Sequence, residues 1–250
     1  MPSPLLTVVD VGWPGRIGTL VPALERSGYH RYWATEHRNP GQSASPAILA
    51  ALAAAVSSRL RIGTAGVLLD FYSPLAVAED FLLLETFFPG RIDLGVTGNT
   101  VHDPELRRLL LDGRPESDPD QIRYRKKIEE LARLLPGRPG ASPLAERIGP
   151  RPARPPDLWI CGMSEASARL AGRLGASFCF SEYFRRNQTR VADGLAAVGG
   201  YREEFRPVAG LDRPRWSISC YGICGADAAR AARRGERFSA PQRASAEGSG

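Results

Sequence analysis

Three short apolar runs, each ending in small or polar residues, constrain the fold of this chain more than any other feature. They read WATEH at 33–37, RIGTAGVLLD at 61–70 and RIDLGVTGN at 91–99. A helical pattern separates each run from the next, which is typical of strand–helix units that build a parallel sheet. The loops after such strands converge on one face. We therefore expect His37, Thr64 and Thr97 to lie along one rim.

Seven strand patterns can be counted along the chain, and an eighth is not visible. They lie near 5–11, 29–37, 61–69, 91–96, 157–162, 176–182 and 214–224. A G-x-G-x-x-G motif is absent after the first strand, where a dinucleotide-binding sheet would place it. The pattern therefore favours an α/β fold of the (β/α)8 TIM-barrel type, incomplete because the eighth strand is missing.

We assign residues 1–235 to a single barrel domain, because a chain of 250 residues can bury one sizeable core. The segment 100–156 is rich in Arg, Asp, Pro and Gly around one amphipathic helix near 120–135. We interpret it as an insertion that either forms an active-site lid or is partly disordered. Residues 236–250 have no apolar periodicity and are predicted to be a disordered tail.

Local signals predict how several helices begin and pack. Ser45-Pro46 and Ser73-Pro74 each combine a serine N-cap with a first-turn proline. The run AILAALAAAV at 47–56 is apolar on all sides, so that helix is predicted to be largely buried. Trp33 and Phe180 fall inside strands, where aromatic side chains usually belong to the core.

Composition and charge exclude several classes of protein. The net charge of +6 comes from arginines scattered among Pro and Gly, without a basic helix, so nucleic-acid binding is not expected. No apolar run approaches the roughly 20 residues of a membrane span. The N-terminus matches a first strand and not a signal peptide. We therefore expect a cytoplasmic protein that binds no membrane.

The four cysteines are scattered, and we interpret them as buried free thiols. Cys161, Cys179 and Cys220 fall inside predicted strands. Cys220 and Cys224 lack His or further Cys at the spacing of a zinc site, so no metal is expected.

Five segments together resemble the bacterial luciferase-like flavin-dependent monooxygenases. They are LLTVVDVG, GYHRYWATEHRN, RLRIGTAGVLL, the run from Ser73 to Asn99, and LWICGMSEASARLAGRLGASFCF. The similarity covers residues 5–98 and 157–229 and stops near 235, as in a shortened member. It implies a (β/α)8 barrel that uses reduced FMN, or in some branches a deazaflavin, together with molecular oxygen.

The resemblance implies roles for residues at the ends of three strands. It implies that His37 is catalytic in the oxygen chemistry of the flavin. It places Ala65 and Gly66 against the flavin ring, where the family often has an unusual peptide bond. Thr97 stands where many relatives have a phosphate-binding arginine, which a hydroxyl cannot replace as a bidentate donor. The arginines at 185–186 could compensate, or lie exposed at a helix start.

The resemblance also implies that Ser164 and Ser167 hold the FMN phosphate, and we assign Gly162 and Met163, which lead into the same helix, to this site. Physical reasoning supports this position, because the chain passes there directly from a strand into a helix. Free amides and the dipole at a helix start favour an anion. The alternative is that Ser164 is simply an N-cap.

Histidine suits proton transfer because its pKa lies near neutrality. A structural histidine at a strand end is the alternative for His37. Glu36 could orient His37 or pair with Arg38 or Arg61, with the ion pair favoured. His102 is interpreted as exposed and not catalytic.

Tyr72 and Tyr183 lie just past strand ends, and we predict that they line a substrate pocket. The resulting hypothesis is an FMN-dependent monooxygenase that receives reduced flavin from a separate reductase and acts on a small organic substrate in specialised metabolism. A non-catalytic shortened homologue that binds flavin or supports a partner subunit is the alternative. A deazaflavin-dependent oxidoreductase is a third. The unpaired sheet edge predicts a homodimer or heterodimer, or coverage by the tail.

Overall fold

The computed structural model describes residues 5–10, 14–38, 41–98, 101, 103–112, 120–138, 140–181, 191–220, 222 and 225–236. Within this part of the chain, strands and helices alternate. The strands are β1 (Thr7–Asp10), β2 (Arg31–Ala34), β3 (Arg61–Thr64), β4 (Val67–Leu68), β5 (Ile92–Thr97), β6 (Asp157–Gly162), β7 (Ser177–Ser181) and β8 (Trp216–Ser219).

All neighbouring strands of the sheet pair in parallel. The two-residue β4 extends the path of β3 and pairs with β5, and the other seven strands follow chain order from β1 to β8. No ladder joins β1 to β8 among the described strands, yet both line one cavity. The sheet is therefore a nearly closed barrel with one unsealed seam, which confirms the prediction of a seven-stranded, incomplete TIM-like barrel.

Helices connect the strands and cover the outside of the barrel. They are α1 (Ile17–Arg26), α2 (Pro46–Ala55), α3 (Pro74–Phe87), α4 (Pro104–Leu110), α5 (Asp120–Leu134), α6 (Glu165–Arg173) and α7 (Val191–Glu204), and residues 228–236 are also helical. No helix in the described ranges is long and apolar enough to cross a membrane.

The core has two parts because side chains of a strand alternate between the two faces of the sheet. The larger part packs the outer face against the helices and includes Phe180, as predicted. The smaller part fills the barrel interior with Trp33, Trp159, Cys161 and Cys179. The two tryptophan rings meet edge to face with 4.8 Å between their centroids.

Charged side chains cluster where the strands begin, and we call Arg31, Arg61, Asp93, Asp157 and Arg215 the amino-end cluster. Asp93 Oδ2 accepts from Arg31 Nε at 3.0 Å, and Asp93 Oδ1 accepts from Arg61 Nε at 3.0 Å. Asp157 Oδ2 accepts from Arg61 Nη2 at 2.8 Å and also pairs with Arg215. The cluster ties together the starts of five strands, since Arg215 directly precedes β8.

The segment after β5 contains more regular structure than the sequence indicated. The predicted helix near 120–135 is confirmed as α5, whereas α4 and a 3-10 turn at Pro143–Glu146 were not predicted. Lys127 Nζ of α5 donates to the carbonyls of Asp70 and Tyr72, both at 2.7 Å. The insertion is therefore docked beside the carboxyl ends of the strands.

Two local predictions are wrong, for α2 and Cys220, and the predicted N-caps Ser45 and Ser73 are confirmed in position only. The outer side of α2 faces away from the core, with Ile48 60% and Leu52 53% exposed, because only one face of a helix can contact the sheet. Ser45 and Ser73 precede their first-turn prolines as predicted, but neither hydroxyl makes a capping hydrogen bond. Cys220 lies beyond β8 and is exposed.

Candidate functional site

The carboxyl ends of β2, β4, β5 and β6 form a continuous arc, which we call the carboxyl rim. The Ala65 amide donates to the carbonyl of Ala34 at 2.8 Å, so the chain after β3 lies against the end of β2. Leu68 pairs in register with Thr97. β5 in turn pairs with β6, whose end leads to Ser164. The rim therefore places the loops that carry the predicted site residues side by side.

Glu36 forms the centre of a hydrogen-bond network on this rim. Its side chain is completely buried and pairs with Arg38 Nη2 at 2.6 Å. The Tyr72 hydroxyl donates to Glu36 Oε1 at 2.8 Å, and the Leu68 amide donates to Oε2 at 2.9 Å. Burial raises the pKa of Glu36, although these partners oppose the rise. Of the alternatives, the ion pair with Arg38 is the one found, and Arg61 belongs to the amino-end cluster.

His37 follows this carboxylate but does not join its network. The His37 amide donates to the carbonyl of Ser43 at 2.9 Å, which fixes the backbone of the loop. Its imidazole is half-buried and has no hydrogen bond to any described residue. Burial lowers the pKa of His37, so the ring is neutral near pH 7. A neutral, unengaged imidazole at a rim can accept or relay a proton.

Small residues let the backbone after β3 approach the backbone of β5 closely. The peptide bond between Ala65 and Gly66 is cis. A Cβ on Gly66 would lie 2.8 Å from the carbonyl carbon of Val96 and 3.0 Å from the Thr97 amide nitrogen, so only glycine fits without a shift. This spot matches the small-residue position that the sequence resemblance implied.

Thr64 lies at the carboxyl end of β3, as predicted, but its side chain does not reach the surface of the rim. It is fully buried, and its hydroxyl donates to the Gly95 carbonyl at 2.7 Å and accepts from the Gly95 amide at 3.1 Å. The hydroxyl is thus used to join β3 to β5 and does not face a ligand.

A helix start forms the fourth part of the rim. Ser164 is the N-cap of α6, and its Oγ accepts from the Ser167 amide at 3.2 Å. The two hydroxyls lie 3.0 Å apart, and a Cβ on Gly162 would collide with the Ser167 side chain at 2.9 Å. Met163 lies between them, half-buried. The N-cap interpretation of Ser164 is confirmed, and phosphate contact remains a prediction.

Tyr124 of α5 is a rim residue that the sequence did not reveal. Its ring lies 3.8 Å from the position of a Cβ on Gly98, directly after Thr97. Its hydroxyl is buried without a hydrogen-bond partner among the described residues, and burial raises its pKa well above the ordinary value. An unpartnered buried hydroxyl costs free energy unless something else completes it. Only its place on an amphipathic helix could have pointed to it.

Several predicted residues lie outside the described ranges. These are Tyr183 and Glu182, the arginines at 185–186, and His102. Among described residues, no group of three His, Cys, Asp or Glu side chains is arranged to hold a metal ion. A cavity of about 900 Å³ opens along the seam, but none of the residues predicted to bind the cofactor lines it.

Comparison with known proteins gives consistent matches over most of the chain. The family described as luciferase-like monooxygenase matches residues 11–249. An Escherichia coli protein named luciferase-like monooxygenase is 33% identical over 214 residues, which cover 82% of this chain and 59% of that protein. The N-acetyl-S-alkylcysteine monooxygenase of Bacillus subtilis is 35% identical over 176 residues, covering 69% of this chain and 52% of that protein.

Among solved structures, apo-MsnO8 superposes with a TM-score of 0.79 at 30% identity, covering 95% of this chain and 74% of its own. The chain thus spans between half and three fifths of the length of the two curated relatives described above.

Proposed function

Because this chain belongs to the luciferase-like monooxygenase family, we propose that it is a flavin-dependent monooxygenase that uses reduced FMN and molecular oxygen on a small organic substrate. The carboxyl rim is the observation that carries this proposal. It gathers a free imidazole, a backbone contact without side chains and a helix start on four adjacent strand ends. Two relatives carry monooxygenase names, which supports the reaction class.

The rim residues fit a bound flavin. The chain at Ala65 and Gly66 offers a surface without bulky side chains, since Gly66 already touches the β5 backbone. Ser164 and Ser167 would hold the phosphate through their hydroxyls and the first amides of α6. Thr97 would add a hydroxyl in place of a cation, which predicts weak phosphate affinity. When bound, reduced FMN supplies the activation of oxygen.

His37 has the protonation state that the chemistry needs. Its neutral imidazole would accept a proton from the substrate or from an attacking group and release it later. Glu36 acts on the loop by fixing Leu68 and Tyr72, and its charge is already matched by Arg38. Tyr72 would therefore line a substrate pocket with its ring edge, because its hydroxyl is engaged.

An FMN titration of a variant with an added negative charge tests the flavin site. Ser164→Asp keeps a good N-cap but places a negative charge at the proposed phosphate position. We expect FMN affinity to fall about tenfold or more from charge repulsion, with binding of riboflavin, which lacks the phosphate, unchanged. Ser142→Asp, at the N-cap of the distant 3-10 turn, is the matched control. Equal FMN binding by wild type and Ser164→Asp would contradict the site.

Turnover is tested with a flavin reductase, reduced nicotinamide cofactor and oxygen. N-acetyl-S-alkylcysteines are the first probe substrates, because a relative at 35% identity is named for them. Oxygen uptake coupled to an oxygenated product supports the proposal. Binding of a deazaflavin in place of FMN would favour an oxidoreductase of that type, and binding of neither would contradict the flavin proposal.

The second candidate is a non-catalytic flavin-binding homologue, which the unsealed seam favours. Among the described strands no ladder joins β1 to β8, and a cavity at this seam reaches the side chains of the barrel interior, whereas oxygenation needs a dry pocket. Tight FMN binding without any oxygenated product in the same assay would identify this alternative.

We further propose that the protein pairs with a second subunit through α2 and α3. These adjacent helices expose large apolar side chains: Ile48, Leu52, Val56, Leu75, Leu83 and Phe87. Contiguous exposed apolar side chains mark interaction surfaces. Size-exclusion chromatography with light scattering should give the mass of two chains, and Phe87→Glu should give that of one. The reductase is a transient partner in this proposal.

A further inference from the structure

The barrel interior contains a pair of thiols that the proposed function does not use. Cys161 of β6 and Cys179 of β7 are partners in the parallel register. Both are buried and free. Neighbouring strands are about 4.8 Å apart, which lies inside the range of Cα separations that a disulfide spans. Both side chains belong to the interior cluster and therefore point to the same side of the sheet.

The seam connects one of these thiols to the outside. Cys179 forms part of the wall of the seam cavity, between Trp159 and the serines of β8. Cys161 is its register partner on β6 and does not line the cavity. Cys179 is 1% exposed, so its sulfur lies directly beneath the wall of this cavity. The order of access is therefore Cys179 first and Cys161 second.

Hydroxyl groups surround Cys179 more closely than a purely apolar core would. Its Sγ lies 3.9 Å from Ser219 Oγ. Ser217 Oγ is buried and has no hydrogen-bond partner among the described residues. The contact with Cys161 first, and then the nearby serine hydroxyls, lower the pKa of Cys179, while the same contact and burial raise the pKa of Cys161.

We propose that Cys161 and Cys179 form a redox-active dithiol that a peroxide entering through the seam converts into a disulfide. The Cys179 thiolate attacks one oxygen of hydrogen peroxide, the O–O bond breaks, and hydroxide leaves as water after protonation. Cys161 then attacks the resulting sulfenic acid, the S–S bond forms, and a second water leaves. Two thiols are oxidised and one peroxide is reduced. Geometry, access and acidity assign attack to Cys179 and resolution to Cys161.

The test is peroxide treatment of the purified full chain under native conditions. We expect two of the four thiols to be lost. The mass of the protein should fall by that of two hydrogen atoms, and a linked peptide should join Cys161 to Cys179. Dithiothreitol should restore both thiols. Because the wild-type protein gives this readout, the test does not depend on whether a variant folds.

Variants separate the two roles. Cys161→Ser should stop at a sulfenic acid on Cys179 that dimedone traps, and Cys179→Ser should leave Cys161 reduced. Cys220→Ser is the matched control, and the interior disulfide should still form. Oxidation confined to Cys220 and Cys224, or a Cys161–Cys179 link that forms only after denaturation, would overturn the inference. The outcome is independent of flavin binding, so its failure leaves the proposed function untouched.

Discussion

The two ends of the barrel use polar side chains in opposite ways. At the amino end, Asp93 is completely buried and accepts from two arginines and from Trp33 Nε1 at 2.9 Å. At the carboxyl rim, Glu36 is satisfied in the same manner, but the His37 imidazole and the Tyr124 hydroxyl have no hydrogen-bond partner in the described part of the chain.

This difference distinguishes groups that stabilise the fold from groups that are available for chemistry. A carboxylate saturated by cations on several strands resists change, because removing one partner leaves buried charges uncompensated. A group that keeps an unused donor or acceptor can take a proton or a ligand without breaking the fold. The amino-end cluster therefore holds the strands, and the carboxyl rim leaves room for a reaction.

The largest expected effect tests the amino end. Asp93→Asn should lower the free energy of unfolding by about 3–5 kcal/mol, because the positive charges of Arg31 and Arg61 lose their shared buried partner. Glu36→Gln should cost about 1–3 kcal/mol, since the Arg38 side chain is 20% exposed and can reach water. Urea unfolding of both variants gives the comparison. Equal losses would show that the two ends do not differ.

The next effect concerns the rim. His37→Gln should lower turnover by about 10²–10⁴-fold, the range of a lost general acid or base, with little change in thermal stability. His30→Gln is the matched control, because His30 is exposed at the opposite end of the same strand. Steady-state rates and thermal unfolding measure both. A loss of stability as large as the loss of turnover would make His37 a structural residue.

A smaller effect is expected at the helix start. Ser164→Ala should cost about 0.5–2 kcal/mol as a lost N-cap and weaken FMN binding by about tenfold through a lost charge-assisted hydrogen bond. Ser142→Ala removes a serine cap from the 3-10 turn at Pro143–Glu146, which is not one of the rim segments, and should leave FMN binding unchanged. Calorimetric titration separates the two. Equal affinities would leave Ser164 with its capping role alone.

The smallest effect is a shift in pH dependence. Burial lowers the pKa of His37, so the acid limb of kcat should lie below the ordinary histidine value of about 6.5. The unfolded chain binds the proton more readily, so stability is also lost as pH falls from 6.5 toward the folded pKa. Glu36 could also contribute to the acid limb, because burial raises its pKa. pH–rate profiles of wild type and of Glu36→Gln separate this contribution from that of His37. A limb at or above 6.5 would contradict a buried neutral imidazole.

Much of this architecture was predictable from the sequence, because strands buried on both faces are short apolar runs and helices start at serine and proline. Seven strands, α5 and the N-cap at Ser164 followed from such local signals. The saturated cluster around Asp93 did not, since its partners are separated by 32 to 62 residues along the chain. Tyr124 was missed for the same reason: its contact with the chain after β5 depends on how the insertion packs.

Predictions of side-chain exposure from composition alone are less accurate. A helix that is apolar on all sides indicates burial only if something covers both faces, and α2 touches the sheet with one. Thr64 matched a rim position, yet the absent side chain of Gly95 lets the hydroxyl reach the backbone of β5. Whether a side chain is covered depends on residues that are distant in the sequence, which a local sequence pattern does not show.

The unsealed seam has a consequence for how copies of this protein behave when concentrated. In the described part of the chain its two borders, β1 and β8, are different strands of the same polarity, so a parallel contact between copies would join β8 of one copy to β1 of the next. Contacts of that head-to-tail kind repeat without closing into a ring unless the rotation happens to fit. Such contacts would then limit the concentration at which the protein stays dispersed, and a peptide that pairs with either border strand would raise that limit.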